Sequence, residues 1–144
     1  MTKDLHHFIS GRVVEGTGGR FGDVFDPNTG AVAARVAFAS AADVRRAVDA
    51  AREAFPVWSA FNPQRRARVM FNFKGLIEDN MDALAHQLSM EHGKVIADAK
   101  GDIQRGLEVI EFACGIPHLM KGEYTEGAGP GIDMYSMRQP LGVV

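Results

Sequence analysis

The sequence holds one cysteine, Cys114, in 144 residues, so no internal disulfide framework is available to it. Long apolar runs are also missing: no stretch approaches the roughly 18–20 residues of a membrane-crossing helix. The opening Met1-Thr-Lys-Asp-Leu-His-His7 lacks the apolar core of a secretory signal. Charge of one sign is not in excess either, since 16 Lys and Arg face 18 Asp and Glu for a net charge of -2. That removes the global basic field expected of a nucleic-acid binder. A reducing, cytoplasmic setting is the expectation, with neither nucleic acid nor membrane as partner.

What is present is an ordinary soluble composition, 46% hydrophobic and 24% charged, enough for one domain with a core. The apolar ending Pro140-Leu-Gly-Val-Val144 is unusual for a domain and suggests truncation. Six glycines fall in residues 11–30, four in 31–114 and six in 115–142. Two turn-rich ends therefore flank a helical middle.

Phe8 to Val14 reads as a hairpin around Gly11, and Asp23–Phe25 with Ala31–Phe38 as a second hairpin closed by Asp26-Pro-Asn-Thr-Gly30. A first helix starts at Ser40, where Ser40 and Asp43 have capping-box spacing, and is expected to end before Pro56. Asn62-Pro63 opens a second helix to Asp79. The third runs from about Asn80 to His92 and stops at Gly93. The fourth carries Ile96, Ala99, Ile103, Leu107, Ile110 and Cys114 on one stripe. Gly101 and Gly106 each cost about 1 kcal/mol inside it, which suggests a close backbone neighbour. Glu126 to Gly131 reads as a loop and Asp133 to Gln139 as a strand.

Chemistry-bearing candidates are few. Cys114 lies near a helix C-terminus, which does not favour a thiolate, and is expected to be a buried structural residue. Gly16 to Phe21 and Gly127 to Ile132 both lack the last glycine of a dinucleotide loop and do not join a strand to a helix, so they read as turns. His6, His7, His86, His92 and His118 have no metal-ligand spacing. Arg65, Arg66 and Arg68 read as a solvated helix face. His86 and Glu91 lack a third partner. Arg105 lies about 200° around the fourth helix from Ile103 and Leu107, away from the apolar stripe. It reads either as a surface residue paired with Asp102 or Glu108 or as a binding residue. No catalytic residue and no metal site is assigned.

Phe8-Ile-Ser-Gly11, Asp26-Pro-Asn-Thr-Gly30, Asp43 to Phe55 through Trp58, Glu91-His-Gly-Lys94 and Pro140-Leu-Gly-Val143 occur in an order that resembles the N-terminal part of the aldehyde dehydrogenase superfamily. Within it, Glu91 to Lys94, Gly101 to Gly122 and Arg138 to Gly142 look like the CoA-acylating methylmalonate-semialdehyde dehydrogenase branch. The resemblance implies an α/β parent fold, of which this segment is the mainly helical start, with N-terminal β-hairpins and a C-terminal strand. Residues 1–132 would belong to the NAD-binding domain, and residues 133–144 would begin the strand that crosses to the oligomerisation domain.

The resemblance further implies that the family's cysteine nucleophile, general-base glutamate, oxyanion asparagine and NAD pyrophosphate loop all match positions beyond Val144. NAD and CoA are the cofactors implied for the parent enzyme, a homo-oligomer acting on a small semialdehyde; this segment by itself is expected to be inactive and to bind neither. Arg105 is the implied substrate-binding residue, because the matching helix borders the substrate tunnel and a guanidinium grips a carboxylate with two hydrogen bonds. A natural short interaction module and another branch of the superfamily are the alternatives.

Overall fold

A computed structural model describes residues 2–144. The element order is β1 (Lys3–Leu5), β2 (His7–Ile9), β3 (Arg12–Val14), β4 (Phe21–Phe25), β5 (Val32–Ala37), α1 (Ala41–Ala60), α2 (Pro63–Asp79), α3 (Met81–His92), α4 (Ile96–Cys114), α5 (Ile116–Leu119), β6 (Tyr124–Gly129) and β7 (Ile132–Tyr135).

Both N-terminal hairpins form. β2 and β3 pair antiparallel with Ile9 opposite Arg12, and the two-residue link Ser10-Gly11 has positive φ at both positions, 54° and 75°. That is the turn whose twist matches flanking strands. β4 and β5 pair antiparallel across a turn in which Asp26 Oδ1 accepts from the Asn28 backbone N–H at 2.8 Å. An additional strand, β1, adds parallel to β5, giving the order β1-β5-β4. Its register is pinned by Arg35, which donates to both carboxylate oxygens of Asp4 at 3.0 Å.

Ser40 caps α1 in a complete capping box: its hydroxyl accepts from the Asp43 N–H at 3.1 Å, and its own N–H donates to Asp43 Oδ2 at 2.9 Å. The expected stop before Pro56 is corrected, because α1 continues through Pro56 to Ala60. The end is set instead by Pro63, which drives the preceding Asn62 to an extended ψ of 156°. Asn62 then caps α2, its Oδ1 accepting from the Arg65 N–H at 2.8 Å. α3 ends on Gly93 at φ 83°, in the left-handed region, as the glycine there implied.

The core sits where α4 packs on α2 and α3. Ala99, Leu107 and Ile110 of α4 are buried, with Ala67 of α2 and Ala85 of α3. This is the face that the three- and four-residue steps in the sequence marked. One expectation about α4 is corrected, that for Cys114, and the close neighbour expected at its glycines is not among the described residues. No atom outside the helix lies within 4 Å of a Cβ built on Gly101 or Gly106, so nothing in the described residues approaches either glycine. Cys114 is half-buried rather than buried, because α4 ends there and its last turn borders an open groove toward α2.

Past α5 the loop expected from Glu126 to Gly131 is mostly strand: β6 runs to Gly129 and turns at Pro130-Gly131 into β7. β7 ends at Tyr135 rather than Gln139. Two-stranded pairing accommodates glycines at 127 and 131 because both have positive φ, 65° and 68°. A division at 132/133 falls inside β7. No helix of the described residues is long and apolar enough to cross a membrane.

Candidate functional site

The α3–α4 corner is built by Gly93. Its left-handed conformation closes α3, with its N–H donating to the Ser89 carbonyl at 2.8 Å, and turns the chain so that residue 94 comes back beside the second turn of α4. Ser89 Oγ donates to the Lys94 carbonyl at 2.6 Å, which holds that return. Val95 precedes α4 without a side-chain cap, and Asp98 in the first turn places a negative charge at the positive end of the helix.

With the buried stripe fixed against α2 and α3, Arg105 must point the other way, and it is exposed. It lines a shallow concavity of about 440 Å³ together with Lys94, Ala97, Asp98, Gly101 and Asp102. The expectation that Asp102 or Glu108 pairs with Arg105 is corrected. Asp102 is bonded to Lys94 Nζ, and among the described residues no carboxylate lies within ion-pairing distance of Arg105. The Lys94 hydrogen bond holds the Asp102 carboxyl below the usual carboxylate range against the opposing effect of burial, with lesser help from the charges of Lys94, His92 and Arg105. Among the described residues Arg105 is thus a cation without a carboxylate partner, beside a hollow lined by Asp102, which is bonded to Lys94, and by Asp98.

The remaining candidates are dispersed. Glu91 accepts from Gln87 Nε2 at 2.5 Å and forms no hydrogen bond with His86. The three arginines of α2 do not form a common site or a merely solvated face. Arg65 lies 3.9 Å over the Phe61 ring, Arg68 lies 5.9 Å over Phe71, and Arg66 reaches the Met120 sulfur at 3.7 Å. Cys114 faces the groove lined also by Ala67, Phe71 and Pro117. Among the described residues no three His, Cys, Asp or Glu converge as metal ligands.

The residues here do not fit a dinucleotide pyrophosphate. The glycine stretch from 16 to 21 joins β3 to β4, and a Cβ on Gly18 would sit 2.4 Å from the Phe38 carbonyl oxygen, so that backbone is pressed on its own chain. The stretch from 127 to 131 is the β6–β7 turn. Neither delivers N–H groups at a helix N-terminus.

One residue whose role sequence reasoning missed is Lys94, which entered only as the last residue of the Glu91-His-Gly-Lys94 motif. A left-handed Gly93 followed by a new helix is the signal for its return toward α4.

Residues 13–144 match the model of the aldehyde dehydrogenase family. The chain is 45% identical over 140 residues to a malonate-semialdehyde dehydrogenase of Pseudomonas aeruginosa, covering 97% of this chain and 28% of that one. It is 44% identical over 143 residues to the mitochondrial acylating methylmalonate-semialdehyde dehydrogenase of Arabidopsis thaliana, covering 99% of this chain and 24% of that one. Among solved structures, a protein assigned as a methylmalonate-semialdehyde dehydrogenase from Sinorhizobium meliloti 1021, in complex with NAD, superposes with a TM-score of 0.93 at 61% identity, covering 99% of this chain and 29% of that one. The chain therefore spans less than a third of the length of these relatives. The hairpins, the α2–α3–α4 packing and the ordered motifs carry the same conclusion as the family match: the chain belongs to the aldehyde dehydrogenase family and has the N-terminal portion of its α/β fold.

Proposed function

We propose that this chain is the N-terminal part of an NAD-dependent, CoA-acylating methylmalonate- or malonate-semialdehyde dehydrogenase. The overall reaction takes a semialdehyde, CoA and NAD to propionyl- or acetyl-CoA, carbon dioxide and NADH. The cysteine, glutamate and asparagine that the resemblance implies for the chemistry match no position here, and the glycine stretches do not form a cofactor cradle. This segment contributes framework and one substrate contact, and is inactive alone. Residues 133–144 lead toward the oligomerisation domain of a homo-oligomeric cytoplasmic enzyme.

The observation that carries the substrate reading is the Arg105 guanidinium, exposed in a concavity and without a carboxylate partner. Both semialdehydes carry a carboxylate, which a guanidinium engages through two parallel charge-assisted hydrogen bonds. The similarity to enzymes named for those substrates supports the same reading.

Arg105→Leu in the complete enzyme tests it. Hydrogen bonds to a charged group contribute about 1.5–3 kcal/mol, so kcat/KM for malonate semialdehyde is expected to fall about 10- to 150-fold. An unchanged KM and kcat would remove Arg105 from substrate recognition.

A further inference from the structure

An arginine on a helix normally finds a carboxylate three or four residues away, because those positions are neighbours on the helix surface. Asp102 and Glu108 both stand three residues from Arg105, yet neither is paired with it. Asp102 is held by Lys94, which comes from outside α4. The Lys94 side chain is 19% exposed and Asp102 58%, so the lysine is the more enclosed partner.

We infer that Lys94 is a positioning residue for Arg105: by binding Asp102 it prevents an Asp102–Arg105 ion pair and keeps the guanidinium free for the carboxylate of the substrate. This rests on the proposed role of Arg105 as the carboxylate contact.

Three observations support it. First, the Lys94 and Asp102 side chains line the same concavity as Arg105. Second, Lys94 is delivered there by backbone features independent of its charge, the left-handed Gly93 and the Ser89 hydroxyl on the Lys94 carbonyl. Third, an unneutralised Asp102 would oppose substrate in two ways, by competing for Arg105 and by repelling a second carboxylate in the same hollow. Asp98, the other acid of the concavity, is seven residues from Arg105, a rise of about 10 Å along the helix, and is too far to take the place of Asp102. Gly101 adds room: nothing in the described residues lies within 4 Å of its Cβ position, and it sits one turn before Arg105, where a helical side chain leans.

The test compares a carboxylated and a carboxyl-free substrate, malonate semialdehyde and propionaldehyde, in the complete enzyme that carries this segment. Lys94→Met releases Asp102. An exposed ion pair of about 0.2–1 kcal/mol between Asp102 and Arg105 corresponds to about a 1.5- to 5-fold rise in KM for malonate semialdehyde. The expected result is that rise, with kcat and the kinetics of propionaldehyde unchanged. Lys94→Met with Asp102→Asn is expected to restore the KM, and Lys94→Arg to preserve it. Lys94→Gln carries the same expectation where Lys94→Met does not fold.

An unchanged malonate-semialdehyde KM in Lys94→Met overturns the inference. So does an equal loss with propionaldehyde, or failure of Asp102→Asn to restore binding. Arg105→Leu separates the two levels: loss of carboxylate selectivity there, with Lys94→Met silent, overturns only the role of Lys94. A silent Arg105→Leu overturns the role of Arg105 and that of Lys94 with it.

Discussion

Asp43, 2% exposed, is the charged side chain buried among the described residues, and its surroundings explain why burial is tolerated. Its Oδ2 accepts from the Thr17 and Ser40 backbone N–H groups at 3.0 and 2.9 Å and from both hydroxyls at 3.0 and 2.9 Å. Arg46 donates to Oδ1 at 3.0 Å. The backbone bonds from Ser40 and then Thr17 hold its carboxyl far below the usual carboxylate range, outweighing the opposing effect of burial. A depressed native pKa means that folding gains stability from the ionised form above the unfolded value, near 3.8, and loses it as the pH falls below that value. In the complete enzyme that carries this segment, Asp43→Asn is therefore expected to lower the melting temperature at neutral pH and to flatten the acid limb of the melting-temperature profile below about pH 5. Thermal melts across that range check it; an acid limb as steep as that of the parent would assign the acid sensitivity to other carboxylates. The capping half of this site was legible from Ser40 and Asp43 at their three-residue spacing. The Thr17 half was not, because a contact across 26 residues leaves no periodic trace. The same limit hid the partner of Asp102, which comes from beyond the helix that carries it.

Elements were legible where a local rule decides them. Ser40, Asn62-Pro63 and Gly93 mark helix ends by side-chain capping, fixed φ and left-handed freedom, and all three ends formed at the marked places. Pro56 was misleading because a helix can lose one hydrogen bond and continue. β1 was missed because three residues pair in parallel with a strand about thirty residues on, with no hairpin to announce it. α2 shows how local rules can also conflict. Its first turns carry Arg65 and Arg66 and no acidic residue, although the positive end of a helix favours negative charge. The Asn62 cap offsets part of that conflict. Asn62→Ala is expected to destabilise the complete protein by about 1 kcal/mol. Asn62→Asp is expected to match or exceed the parent, since it retains the acceptor and adds a negative charge beside two arginines. Denaturant midpoints of the two variants check this, and equal losses in both would show that the amide of Asn62, rather than its capping oxygen, supports α2.

At the scale of the whole molecule, surface area shows how much of this structure is self-sufficient. The described residues expose 11079 Å². A compact monomer of this 15.6 kDa mass would expose about 7,250 Å², so the segment presents about one and a half times the expected area. The core explains the excess. It consists of Ile9, Leu107, Ile110 and five alanines, with no large side chain below 2% exposure. Val109 and Phe112 of α4 are meanwhile 68% and 65% exposed, and Tyr135 of β7 is 71% exposed. Surfaces of that kind are covered in a stable protein, and relatives more than three times the length of this chain have the additional polypeptide to cover them. Residues 1–144 expressed alone are consequently expected to keep helical far-ultraviolet circular dichroism, to bind the apolar dye ANS, and to melt over a broad range without a cooperative transition. They are also expected not to reduce NAD when given malonate semialdehyde and CoA. A sharp, dye-free transition would show that the alanine-rich α2–α3–α4 contact suffices for an independent domain, and enzyme-like NADH formation would place the chemistry within these residues. The dye and melting measurements test the packing argument independently of the catalytic one, because an inactive segment could still fold as a unit.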